Sequence, residues 1–382
     1  MGRDCSKYCR FSYREVFVIS LIISTYSIAQ DYSLSDEGFA LPSEAKALEF
    51  PKDHGSHPEF KSEWWYLTGH LEGLESSDQF GFQLTFFRSA TVPSDQEPEA
   101  SQPQQIYMAH AAVLNKSSGE HFHEERFNRD GWNADAQVGR LSVFNGNWKI
   151  EMLDDKTEEM QASFSINGQH RFELNLKPSK LKVLFGENGI SRKGESPNAK
   201  SYYITFSRLE TKGKLTVNQS VLPVTGVAWM DHEISSSQLS EGQIGWNWSS
   251  LILDDGSEIM AYVMRREDGG LDPYSQMYII DPEGNTTRYS SGQFKWDPID
   301  FWTSPRTGGR YPIGYSISWI DREGQTQLLV IRSSPRDQEI NGPISGFTYY
   351  EGAGIVYDED GLEVGKSYTE LTGYIESLYG RF

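Results

Sequence analysis

Short runs of apolar residues, many alternating with polar ones, recur along most of this chain. Among them are FGFQLTFFR (80–88), IYMAHAAVL (106–114), RFELNLK (171–177), SYYITFSRL (201–209), WNWSSLIL (246–253), EIMAYVMRR (258–266), QMYIID (276–281) and YSISWID (315–321). They are rich in β-branched and aromatic residues and bounded by turn residues, which predicts strands, and long stretches of helical period are nearly absent. Asp-Gly in LILDDGSEIMAY, with the similar turns of YIIDPEGNTTRYS and ISWIDREGQTQLLVI, predicts hairpins. Consecutive hairpins at this spacing build antiparallel meanders, so the chain is expected to be all-β, closing into barrels or folding into sandwiches. The Pro-, Gln- and acid-rich stretch 90–105 reads as a surface excursion within the first half.

A weak repeat divides the pattern. WWYLTGHLEGLESSDQFGFQLTFFR (64–88) and WNWSSLILDDGSEIMAYVMRR (246–266) share an aromatic strand, a polar turn, an apolar strand and a closing arginine. Later in each half comes Gly-x-x-aromatic-x-acid, as GVAWMD (226–231) and GKSYTE (365–370). Two similar β-units are therefore expected, 31–238 and 239–382, and two cores also suit a chain of this length.

Residues 1–30 break the pattern. Arg10 and Arg14 precede the apolar run 16–29, which ends in small residues, the layout of a secretory signal cleaved near Ala29 or Gln30. A retained anchor is the alternative, although the run is too short to span a bilayer comfortably. A secreted or periplasmic location follows, with no stable membrane span after cleavage. Cys5 and Cys9 fall in this segment, so the mature chain would have neither a disulfide nor a thiolate metal site. The whole chain carries 35 basic and 54 acidic residues; losing four and two with residues 1–30 leaves 31 against 52. Such an acidic chain is a poor partner for nucleic acid or anionic membranes. No dinucleotide or phosphate-loop fingerprint, Gly-x-Ser-x-Gly elbow or His-Glu-x-x-His motif occurs, so neither cofactor nor metal is expected.

Candidate chemistry lies in two stretches. In SEWWYLTGHL, period two places Trp64, Tyr66, Thr68 and His70 on one face and Trp65, Leu67, Gly69 and Leu71 on the other. The mixed aromatic and polar face either plugs a barrel end or lines a cavity for a large apolar ligand, and Trp246 and Trp248 alternate in the same way. Tyr203 in SYYITFSRL joins this ligand-binding set. In GVAWMDHEISSSQL, Trp229, Asp231 and Glu233 share a face, opposite Met230 and His232. A carboxyl beside an indole in a dry cavity would be held protonated as a proton donor, with Glu63 or His232 assisting. The competing expectation is a structural ion pair between Asp231 and Arg88 or another barrel-end arginine. His121 and His123 pair on one strand face without an evident third ligand, as at a strand edge. Asp53, His54 and His57 read as loop-ordering residues.

These blocks, together with MAHAAV, GISRKG, AWMDHEISSSQL, GWNWSSLILDDGSEIMAY, WTSPRTGGRYP and YYEGA, resemble the AttH-like family over roughly residues 50–380, a family related to the carotenoid 1,2-hydratases. The resemblance implies two lipocalin-like antiparallel barrels packed together in an exported bacterial protein, a secreted hydrolase or a lipid-binding partner of an ABC-type transporter. In the hydratase branch an acid following an aromatic protonates an isoprenoid double bond, a role that would carry over to Asp231. Trp229 stands where the hydratases carry tyrosine.

Overall fold

The computed structural model describes residues 32–381 apart from 97, 99–101 and 218; the expected signal segment, with Cys5 and Cys9, lies outside the described residues. Among the described residues there is no α-helix, and a single 3-10 turn, Lys52–His54, precedes the first strand.

Two antiparallel sheets account for the chain. In the first, the strands lie in the order His121–Arg129, Gln105–Asn115, Gln79–Ala90, Ser62–Gly73, Ser220–Ser237, Lys200–Val217, His170–Pro178, Glu159–Ile166, Trp148–Asp154, Ser142–Asn145 and Ala134–Ala136. The sheet curls until its two ends approach, which makes a nearly closed lipocalin-like barrel. In the second, the order is Thr286–Ser290, Gln276–Ile280, Glu258–Arg266, Gln243–Leu253, Glu363–Leu371, Thr348–Tyr357, Thr326–Ser333, Arg310–Ile320 and Phe294–Thr303. In both, the last long strand returns to pair with the first, so strands far apart in sequence form the middle of the sheet.

Burial along the strands tells where each face points. His170–Pro178 alternates buried and exposed residue by residue, as a strand with one face in a core and one in water must. Ser62–Gly73, Gln243–Leu253 and the 228–236 half of Ser220–Ser237 are instead buried on both faces over most of their length. Their inward faces fill the barrels: Trp65, Leu67 and Met230 join one core, and Leu251, Ile259 and Tyr315 belong to another. Their outward faces meet each other, with Tyr66, Tyr203, Trp229, Trp248, Met260, Tyr262 and Tyr349 in one shared cluster. The aromatic face of SEWWYLTGHL therefore lines the seam between barrels. The inner faces of both sheets are packed with large side chains, so the cavity lined by the aromatic face lies between the sheets and not within either.

Candidate functional site

At this seam lies a cavity that is partly open to solvent; the space in and around it, open solvent included, is about 680 Å³. Trp64, Trp246, Trp248, Tyr66, Tyr203 and Tyr262, with Phe87, Phe347 and Met264, make most of its wall, and Asp231, Glu233, Glu370, Lys193 and Gln238 supply polar groups. Register places them. Asp231 lies between Tyr66 and Thr205 in the first sheet, and Glu370 between Trp248 and Glu351 in the second. The two motif glycines make this repeat possible. A Cβ would sit 1.9 Å from the His70 carbonyl oxygen at Gly226 and 2.5 Å from that of Ile252 at Gly365, so neither strand could approach its neighbour with a side chain there.

Asp231 is 2% exposed. Its Oδ1 accepts from Thr205 Oγ1 (2.6 Å) and Trp229 Nε1 (2.7 Å), and its Oδ2 from the Tyr203 hydroxyl (2.7 Å). The Tyr203 oxygen itself accepts from Trp248 Nε1 of the other sheet at 2.9 Å. Burial raises the Asp231 carboxyl, the donors from Thr205 and Tyr203 pull it back, and the balance lies at about 7. Glu370 accepts from Trp246 Nε1 at 2.8 Å and is also raised to about 7, again mainly by burial. Its direct cross-strand neighbour Glu351 accepts from the Tyr66 hydroxyl at 2.7 Å and is pushed well above the carboxylate range by burial and by Glu370. Lys193 meets Glu233 at 3.1 Å, and burial lowers its ammonium.

On the opposite face of the same strand pair sits a second buried polar cluster. Glu63 Oε2 accepts from Arg88 Nε (2.9 Å), Ser56 Oγ (3.0 Å) and the His57 amide (3.0 Å), while Oε1 meets His57 Nδ1 (3.0 Å) and His232 Nε2 (2.8 Å). The other nitrogen of His57 reaches Asp53 at 3.2 Å, and the His232 ring stacks on Trp65. Burial alone would raise Glu63, but the charge of Arg88 and the two histidine contacts hold it well below its ordinary value. Burial would lower His57, yet its bonds to Asp53 and Glu63 raise it to about 9. Two anions, Asp53 and Glu63, thus face two cations, His57 and Arg88, and burial favours neutral His232.

His57, Glu63 and His232 are the group of described residues whose ligand atoms lie close enough to hold a metal. The atoms that converge, His57 Nδ1, the two Glu63 oxygens and His232 Nε2, already satisfy one another and Arg88, so we expect a chelator to leave the melting temperature unchanged; a fall of several degrees would assign these residues a metal instead. The His57 value also predicts a pH effect. Its folded value, about 9, exceeds the ordinary histidine value of 6.5, so its contribution is complete below pH 6.5 and is lost as pH rises through 9. Denaturation at pH 6 and pH 9.5 should differ by up to about 3 kcal/mol from this group, and His57→Gln should shrink the difference.

The AttH-like family model matches residues 41–374. The chain belongs to the AttH-like family. A solved structure from Nitrosomonas europaea described as an AttH is 33% identical with TM-score 0.79, the match covering 88% of this chain and all of that one. Kievitone hydratase from Nectria haematococca matches at 15% identity and TM-score 0.64, over 90% of this chain and 98% of its own. CghA matches at 12% and 0.52, over 90% and 96%. At those identities the likeness is one of fold. No curated protein matches the chain.

In this AttH-like chain Trp64, Tyr66, Tyr203, Asp231, Trp246 and Trp248 all line this cavity. Trp229 is fully buried behind it and reaches it through its bond to Asp231. His232 alternates with Asp231 along one strand, and Glu63 on the neighbouring strand pairs opposite Ile234, on the His232 side; both therefore face the ion cluster and do not assist Asp231. The expected pairing of Asp231 with Arg88 is replaced by Arg88 with Glu63 for the same reason. His57 does more than order a loop, since it bridges Asp53 and Glu63. His121 lies on an edge strand of the first sheet, with Nε2 buried and without a partner among the described residues, and burial lowers it to about 3. Sequence reasoning missed Lys193 and Glu370 as cavity groups. Glu370 had a signal, its match to Asp231 in the Gly-x-x-aromatic-x-acid repeat; Lys193 had none.

Proposed function

We propose that this chain is an exported, cofactor-independent hydratase or related lyase for a large unsaturated apolar molecule, with Asp231 as proton donor. One observation carries the reading: a fully buried carboxyl, poised at about 7, faces an aromatic cavity while its oxygens are held by three donors. Both lone-pair directions of Oδ1 are taken by Thr205 and Trp229, so the proton belongs on Oδ2, where the Tyr203 hydroxyl can turn aside. Once that proton bonds to an alkene carbon, Tyr203 donates to the carboxylate left behind. The site thus gains a hydrogen bond as the proton leaves, which is stabilisation specific to the transition state. Indole faces of Trp64, Trp246 and Trp248 suit the positive charge that develops. Water then forms the C–O bond, and Glu370 on the facing sheet is suited to take the proton that water loses.

The test is turnover of polyenes, read as a product one water heavier, across pH. Asp231 must be protonated and Glu370 ionised, and both lie at about 7, so kcat/KM should peak near neutrality and fall on both sides. A flat profile would exclude this acid–base pair. Polyene binding without turnover at any pH would instead favour a lipid carrier serving an envelope transporter.

A further inference from the structure

We propose that the Lys193 end of the cavity is a carbonyl-binding subsite, so that the ligand is an unsaturated ketone whose oxygen lies between the Lys193 ammonium and the Gln238 amide. This narrows the apolar-ligand reading above and rests on it. Lys193 is the only cation among the described residues lining the cavity. Its backbone is fixed on both sides, N–H to the Ala199 carbonyl (2.8 Å) and C=O from Gln243 Nε2 (2.9 Å). The ammonium lies 4.3 Å from the ring centre of Tyr203 and 4.2 Å from that of Tyr262, with Glu233 at 3.1 Å. Of its three donors Glu233 takes one, and the tyrosine rings offer only weak acceptors.

Gln238 supplies an independent observation. It is 4% exposed, lines the same cavity, and its Nε2 is buried without a partner among the described residues. Burying a donor without an acceptor costs free energy that a ligand oxygen would recover. A plain hydrocarbon would leave both donors as they are. A carbonyl oxygen has two lone pairs and can take one bond from each. A carboxylate fits less well, because Lys193 and Glu233 already neutralise each other and a further anion would face Asp231 and Glu370 uncompensated. The assignment also suits the chemistry. An ammonium bonded to the carbonyl oxygen draws the π electrons of a conjugated alkene toward it, so water bonds to the β carbon, the α carbon takes the Asp231 proton, and Glu370 takes the proton that water loses.

Pseudoionone, a linear dienone whose absorption band moves to the red when its oxygen accepts a strong hydrogen bond, tests this against its hydrocarbon analogue and geranic acid. The ketone should bind at least tenfold tighter than the hydrocarbon, with a red-shifted band. Lys193→Met combined with Glu233→Gln, which strands no buried charge, should abolish both the shift and the preference while hydrocarbon binding and the melting temperature persist. Should that double variant not fold, Gln238→Leu, which removes one neutral donor, makes the same comparison and should reduce both. Equal binding of ketone and hydrocarbon, an unchanged shift in the variants, or tighter binding of geranic acid would overturn the subsite. If neither ketone nor hydrocarbon binds, the apolar-cavity reading itself has failed, and the subsite with it.

Discussion

Asparagine at position 231 should lower hydration by about 10²- to 10⁴-fold, the usual contribution of a positioned proton donor, while ligand binding and fold survive. The geometry favours this clean separation. With the amide oxygen in place of Oδ1, the donors from Thr205 and Trp229 are kept, and the amide nitrogen at the Oδ2 position donates to a Tyr203 hydroxyl free to rotate. The stability change has a definite sign. The folded value of Asp231, about 7, is raised above 3.8, so its stabilising protonated form is lost as pH rises through 7, leaving a buried anion at alkaline pH. The variant has no such group and should be at least as stable as the parent at pH 8. Single-turnover assays with product mass detection, beside denaturation curves, check both halves. A variant that unfolds readily while its folded fraction keeps full activity would make Asp231 scaffold.

Methionine at position 88 should have the largest effect on stability. The Arg88 guanidinium is 1% exposed and reaches Glu63, Gln105 and the carbonyls of His57 and Phe60. Removing it leaves Glu63 buried with an uncompensated charge and two carbonyls without their donor, a loss of about 3–5 kcal/mol for breaking one side of a buried pair. Glu63 should also lose its depressed value, because the charge of Arg88 is the largest force lowering it against burial. Urea denaturation of Arg88→Met and of Arg88→Met with Glu63→Gln separates the causes: restoring part of the stability by neutralising Glu63 identifies the stranded charge. A loss below 1 kcal/mol in the single variant would mean that water or a rearranged His57 replaces the guanidinium.

Much of the architecture was legible in the chain because strands advertise themselves locally. The alternation in RFELNLK and the Asp-Gly turn of LILDDGSEIMAY depend on neighbours within a few residues, and both elements form where expected. The face shared by Trp64 and Tyr66, and that shared by Asp231 and Glu233, also follow from period two and recur at the cavity. Partners were not legible. Glu63 and Asp231 sit on adjacent strands with Glu63 opposite Ile234 and Tyr66 opposite Asp231, a register that sends them to opposite faces, and no local pattern reveals register.

What the sequence determined by itself was the family, the all-β class, the aromatic face and the acid within it, since each is written in short-range order. What only the tertiary structure decided was where that face points and what meets it. Two sheets had to pack outer face to outer face before Trp248 could donate to Tyr203, Tyr66 to Glu351, and Glu370 could share a cavity with Asp231. Those contacts join residues 45, 285 and 139 positions apart, and the burial that lifts both carboxyls to about 7 exists only once water has been excluded from the seam. Proton affinity is a property of the surroundings, and the surroundings of Asp231 come from both barrels.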